Sequence, residues 1–199
     1  MLSETLQVIR TNIRETVGGA RRVLEGKKVN LRVMEKDDVD FAMECFNNLG
    51  FRGEYDSVPQ QKSKSERLRD FDNSSPLITL CERGRFIIEK KDGTRIGFIA
   101  HYLIQPSRWM EIGYDIIPKE RGKGYGTEAV QLMLDYLFLS KDIGRIQAIT
   151  DTRNKASQRV LEKTGFSKEG TIRKSGYIRG AWSNAYLYSI LREEWKKTK

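Results

Sequence analysis

The sequence predicts an α/β (α+β) fold: a mixed, mostly antiparallel sheet of six to seven strands, helices on both faces, and an extra N-terminal helix. Three observations carry this. Apolar spacing switches between helical and strand periods in the order helix, strand, helices, three strands, helix, strand, helix, two strands. An Asp92-Gly93 pair between two apolar runs is a strong hairpin signal. A glycine-rich turn from Arg121 to Gly126 joins a strand to a helix with an apolar stripe. The chain has 199 residues, 38% of them hydrophobic, which is enough for one core.

Leu6, Ile9, Ile13 and Val17 have helical spacing over residues 2–17, and Gly18-Gly19 interrupts it. Residues 1–26 read as a helical extension that covers the domain or mediates dimer contacts, and residues 27–199 as the domain itself. Val29 to Val33 alternates apolar and polar, as a strand does. Asp37 or Asp38 then caps a helix presenting Phe41, Ala42, Cys45, Phe46 and Leu49. Ser63 or Ser65 opens a second helix through Phe71. Phe86 to Ile88 and Ile96 to Ala100 flank the hairpin turn, and Trp109 to Ile117 gives the next strand, ended by Pro118. Val130, Met133, Leu134, Leu137 and Phe138 mark the long helix, with Gly144 as its stop. Arg145 to Thr150 is a strand. Asn154 is an N-cap for a helix that Gly165 ends. Phe166 to Leu191 reads as two strands joined by a polar loop around Gly180 to Asn184.

Composition excludes several function classes. Cys45 and Cys81 form no Cys-x-x-Cys pair, and His101 is the single histidine, so no metal site and no histidine-based catalysis is expected. No apolar run approaches the roughly 20 residues of a membrane span. Glu4, Arg10, Arg14 and Glu15 inside the first apolar pattern argue against a secretion signal. The reading is a cytoplasmic protein with no membrane partner. A net charge of +9 favours anionic partners, or is simply a lysine-rich soluble surface.

The central signal is Arg121-Gly122-Lys123-Gly124-Tyr125-Gly126 between a strand and a helix. The glycines permit unusual backbone angles and close ligand approach. The helix start offers unpaired N–H groups and the positive end of its dipole. Together they make an anion site suited to a pyrophosphate, with Arg121 and Lys123 adding charge at the rim. A Walker A loop fails because Gly124 follows Lys123. A dinucleotide fingerprint finds Ala129 in its looser form but lacks an early βαβ unit. A tight connection without a ligand is the remaining alternative.

Arg121-x-x-Gly124-x-Gly126 in this setting resembles the acetyl-CoA signature of the GNAT superfamily. The run Asn154-Lys155-Ala156-Ser157 to Gly165-Phe166 is similar to the matching segment of its RimJ/RimL branch, and so is Leu31 to Asp38. The resemblance covers roughly residues 28–195. It implies a GNAT-like fold in which a central strand splays from its neighbour and opens a V-shaped cleft. The pantetheine arm of acetyl-CoA would pair with backbone near Ile116 and Ile117. Main-chain N–H groups of Gly122, Lys123, Gly124, Tyr125, Gly126 and Thr127 would hold the pyrophosphate, and Asn154 and Ser157 would lie near the thioester.

Acyl transfer to an amine requires the neutral amine. With a pKa near 8, an α-amine costs roughly 1.4 kcal/mol to deprotonate at pH 7; a lysine amine, near 10.4, costs roughly 4.6 kcal/mol. Glu111 is the candidate base, sharing a strand face with Gly113 and with Asp115, the reserve candidate. The competing reading is an exposed edge-strand glutamate in an ion pair. The resemblance positions Ser157 to protonate the leaving thiolate, although serine early in a helix often only satisfies backbone donors. Some relatives carry a tyrosine acid one turn later, where this chain has Leu161.

The resemblance implies a direct-attack N-acetyltransferase acting on a protein N-terminal α-amine, ribosomal-protein-like. Antibiotics, amino acids and polyamines are the alternative acceptors. Residues 50–75 and 176–184 would shape the acceptor pocket. Glu54, Tyr55 and Asp56 would attract a cationic amine, and Trp182 would stack or pack. Nucleic acid is expected only through proximity to the ribosome, and the chain is read as a monomer or homodimer. A non-catalytic acyl-CoA-binding module and an RNA-associated basic protein are readings from other classes.

Overall fold

At the Asp92-Gly93 turn, Gly93 takes φ +82°, its N–H donates to the Lys90 carbonyl, and Asp92 accepts from the Thr94 N–H, both at 2.9 Å. The two flanking runs therefore return on each other as β3 (Arg83–Lys90) and β4 (Arg95–Ile104). The computed structural model describes residues 23–48, 50–51, 55–56, 61–73, 83–105, 107 and 109–196. The helix expected over residues 2–17 lies outside the described residues, as do Leu49, Glu54 and Cys81.

Around this hairpin stands a sheet of eight strands, more than the six to seven expected, in the order β1-β2-β3-β4-β5-β6-β8-β7. The additional strand is β1 (Val23–Glu25), antiparallel to β2 (Val29–Val33), so the sheet begins before residue 27. β5 (Trp109–Ile116), β6 (Arg145–Asp151), β7 (Ser167–Ile178) and β8 (Ala181–Leu191) complete it. The β5–β6 pair alone is parallel among the described strands. Residues 181–184, read as loop, belong to β8. Arg179 and Gly180 both adopt positive φ, 49° and 86°, and reverse the chain in two residues.

The helices are α1 (Val39–Phe46), α2 (Lys64–Asn73), α3 (Tyr125–Ser140) and α4 (Lys155–Lys163). Helix α3 buries Val130, Met133, Leu134 and Leu137 against Leu31, Phe86, Ile88 and Ile99, and Leu161 of α4 joins that core. On the other face, Ala42 and Cys45 of α1 pack with Met34, Ile87 and Phe98. Burial pushes the Cys45 thiol up to about 12, which makes it an inert packing group.

Local chemistry sets the helix ends. Ser63 and Glu66 form a capping box before α2, with Ser63 N–H donating to Glu66 at 2.8 Å and Glu66 N–H to Ser63 at 3.3 Å. Asp38 stands at the N-cap position of α1, but its carboxylate is spent elsewhere. It accepts from Arg32 at 2.8 and 2.9 Å and from the Glu35 N–H at 2.8 Å. Helix α3 ends at Ser140, not at Gly144. Arg192 donates to the carbonyls of Phe138 and Ile143, both at 2.8 Å, placing a cation on the helix C-terminal end.

Candidate active site

Strands β5 and β6 pair at only two positions, Met110 with Ile146 and Glu111 with Gln147. Beyond them, β5 stays bonded to β4 as far as Ile116, and β6 to β8 as far as Asp151. Each strand follows its own antiparallel partner, so the two diverge and a wedge opens from Ile112 and Ala148 onward. Among the described residues, the backbone groups of β5 on the wedge side beyond Glu111 have no ladder partner, which leaves N–H groups there open to a ligand. The Ile117 N–H is committed to the Ile96 carbonyl at 2.9 Å, and the Ile116 carbonyl accepts from Arg121 Nε at 2.9 Å.

The turn after β5 has the anatomy of an anion site. Gly122 and Gly124 take φ +76° and +88°, where a side chain costs roughly 1–2 kcal/mol. The first helical bond of α3 runs from Glu128 N–H to the Gly124 carbonyl at 3.2 Å. Among the described residues, the N–H groups of residues 122 to 127 have no backbone acceptor, and they gather at the positive end of a 16-residue helix. The cations are arranged differently from expectation. Arg121 does not project its guanidinium to the rim: it donates to the carbonyls of Ile116 and Phe51, and so fastens the turn to the loop after α1. Lys123 pairs with Glu120 at 2.8 Å. A further cation, Lys28 at the β1–β2 turn, donates to the Lys123 carbonyl at 3.3 Å and stands over Gly124. Glu128 holds that hairpin in place by accepting from the N–H groups of Lys27, Lys28 and Val29 at 2.7, 2.8 and 3.0 Å. No local pattern marks Lys28 or Glu128, because the contacts span about a hundred residues.

The predicted thioester residues converge across the wedge. Asn154 caps α4, accepting from the Ser157 N–H at 3.0 Å. The Ser157 hydroxyl faces the Tyr114 hydroxyl of β5 at 3.0 Å, and Tyr114 also donates to the Ser157 carbonyl at 3.2 Å. Burial raises the Tyr114 phenol above its ordinary value, so it stays protonated. Sequence reasoning passed over Tyr114. Glu111 lies half-buried at the closed end of the wedge and accepts from Gln147 Nε2 at 2.8 Å. Gln147 Oε1 is buried and has no donor among the described residues.

On the α1 face, a cavity of about 330 Å³ opens beside the wedge, lined by Gly113, Asp115, Asp151 and Asn154 together with Tyr55 and Asp56. A Cβ built on Gly113 would meet nothing within 4 Å, so the strand's backbone is bare there. The Arg153 guanidinium holds the Asp151 carboxyl down to about 2, which keeps a negative charge on the cavity wall. Trp182 packs edge-on against Tyr177, 5.6 Å between ring centres, and is 61% exposed. Among the described residues, no group of three or more His, Cys, Asp or Glu side chains gathers as metal ligands.

A family model described as an acetyltransferase (GNAT) domain matches residues 28–167. YoaA of Bacillus subtilis, an uncharacterized N-acetyltransferase, is 32% identical over 175 residues, covering 85% of this chain and 97% of that protein. Among solved structures, the ribosomal-protein-S5-alanine acetyltransferase of Vibrio fischeri is 25% identical with TM-score 0.75, covering 87% and 98% of the two chains. The spermidine N-acetyltransferase of Vibrio cholerae, solved with CoA and spermine, shares the fold at 22% identity and TM-score 0.74, covering 85% and 98%. The wedge, the amide-lined turn and this match over most of the length lead to one conclusion: the chain belongs to the GNAT family and is an acetyl-CoA-dependent N-acetyltransferase.

Proposed function

We propose that the chain acetylates the N-terminal α-amine of a protein, in the manner of the ribosomal-protein acetyltransferases it is similar to. The continuity of the wedge carries this reading. It runs from the amides of residues 122 to 127, which would grip the coenzyme's diphosphate, to the cavity at Gly113 and Asp115. The pantetheine arm would lie along β5 toward Ile116 and Ile117, against backbone that β6 leaves unpaired, with the Ile117 N–H and the Ile116 carbonyl themselves taken by Ile96 and Arg121.

In this reading the incoming amine lies over the bare backbone at Gly113, two residues along the strand from Glu111, whose carboxylate Gln147 Nε2 orients at 2.8 Å. Glu111 takes the amine's proton directly or through a water, with Asp115 on the same face as the alternative base. The amine nitrogen bonds to the thioester carbon, the C–S bond breaks, and the thiolate takes a proton from the Ser157–Tyr114 hydroxyl pair or from solvent. An α-amine suits this machinery because it needs little help to lose its proton. A small-molecule amine is the second reading, favoured by the likeness to a spermidine-acetylating enzyme. No helix among the described residues is long and apolar enough to cross a membrane, and a cytoplasmic setting fits a ribosomal-protein substrate.

Acetyl-CoA turnover against short N-terminal peptides, lysine side-chain peptides and polyamines tests the assignment. Turnover concentrated on free α-amines supports it; acetylation of polyamines alone defeats it.

A further inference from the structure

Two cavities meet at Arg85. The first is the one beside the wedge, with Asp56, Asp115 and Asp151 on its walls and Arg85 at its far side. The second, about 350 Å³, lies between α1, α2 and β3 and is lined by Lys62, Arg67, Arg83 and Arg85. Its carboxylate, Asp70, is already held by Lys62 at 2.7 Å. The combined space is asymmetric in charge: Asp56 and Asp115 stand near the thioester end, where Asp151 is already held by Arg153, and the arginines stand at the other.

Register fixes the separation. Arg85 pairs with Ala100, and Ala100 with Gly113, in one row across β3, β4 and β5. Two strand spacings of about 4.8 Å place Arg85 roughly 10 Å from Gly113. An extended peptide advances about 3.4 Å per residue. With its α-amine at Gly113, its second or third side chain comes within reach of the exposed Arg85 guanidinium. Among the described residues, Arg85 forms no ion pair or side-chain hydrogen bond.

We infer that the acceptor carries a carboxylate close to its amine, with Arg85 as the specificity-determining residue that receives it. This rests on the α-amine reading above and narrows it to acidic N-termini. The arrangement also works against the alternative class: a polyamine threading from Asp115 toward Arg85 would set its second ammonium against Arg85 and the neighbouring Arg83. A small acidic amine offers the same chemistry as an acidic N-terminus, and the test separates the two.

The test is kcat/KM for C-terminally amidated peptides with aspartate, alanine or lysine at the second and third positions, beside free aspartate and spermidine. The aspartate peptide is expected to exceed the lysine peptide by about 10- to 100-fold, the range of one charge-assisted hydrogen bond, mainly through KM. Arg85→Glu inverts that order and Arg85→Gln flattens it, with acetyl-CoA affinity unchanged in both. Equal use of the aspartate and lysine peptides, or a preference that survives Arg85→Glu, overturns the inference and leaves the α-amine reading standing. Turnover of free aspartate without peptide turnover keeps the role of Arg85 and overturns the protein-N-terminus reading. Turnover of spermidine alone overturns both.

Discussion

Tyr114 on β5 and Ser157 at the start of α4 meet hydroxyl to hydroxyl, 3.0 Å apart, across the strands' divergence. The contact joins the strand that leads to the phosphate turn with the helix that Asn154 caps. It gives the serine a protonated neighbour at the place where the proposed mechanism puts the leaving thiolate.

Removing either hydroxyl is expected to slow turnover without unfolding the protein. Tyr114→Phe and Ser157→Ala should each cost about 1 kcal/mol of stability, the net worth of one neutral hydrogen bond. If the two hydroxyls act as a unit, the double variant costs less in kcat than the sum of the singles. Additive losses in steady-state kinetics would separate their roles.

Glu111→Gln is expected to lower kcat/KM at pH 7 far more than at pH 9. An α-amine with a pKa near 8 is about one-tenth neutral at pH 7 and mostly neutral at pH 9, so a base matters at the lower pH. A pH–rate profile of both enzymes checks this, and an equal loss at both pH values would point to Asp115 or to a positioning role.

Glu128→Ala should release the β1–β2 hairpin from α3. Three backbone N–H groups lose one carboxylate, and hydrogen bonds to a charged group are worth roughly 1.5–3 kcal/mol. Thermal unfolding should register a drop of that order. Acetyl-CoA affinity should fall with it, because Lys28 would no longer be held over Gly124.

Acid should destabilise the fold through Asp38. Burial raises its carboxyl, but hydrogen bonds from Arg32 and the Glu35 N–H, with Arg95 nearby, outweigh burial and hold it below the ordinary carboxylate range. A group depressed in the folded state stabilises at pH values above its unfolded pKa and loses that contribution as pH falls through the folded one. Melting temperature should therefore decline below about pH 4, where an unfolded aspartate begins to protonate. Asp38→Asn should be destabilised by roughly 1.5–3 kcal/mol at pH 7, since it removes the charge from one of the two carboxylates that hold buried Arg32 and leaves Glu89, at 3.1 Å, as the other. That variant should also show a flatter acid limb.

What the sequence made legible was local. Val29 to Val33, the Asp92-Gly93 turn, the Asn154 cap and the glycine turn are each specified by residues within a few positions of one another. What it hid depends on distant backbone. Arg121 reads as a rim charge until the carbonyl of Phe51, 70 residues away, is seen to take its guanidinium. Ala181 to Asn184 reads as loop because Ser and Asn are turn formers, yet the reversal is completed at Arg179 and Gly180. Tyr114, Gln147 and Lys28 carry no motif, and each matters only because the sheet brings it to the wedge or the turn.

In the proposed mechanism the amides between Gly122 and Thr127 hold the coenzyme's diphosphate. Calorimetric titration of acetyl-CoA into the wild type and Gly124→Val, with circular dichroism to confirm that both are folded, tests it most directly. Valine at φ +88° strains the turn and displaces Lys28, so binding should be lost while the fold persists. Unchanged affinity in the folded variant would contradict the claim.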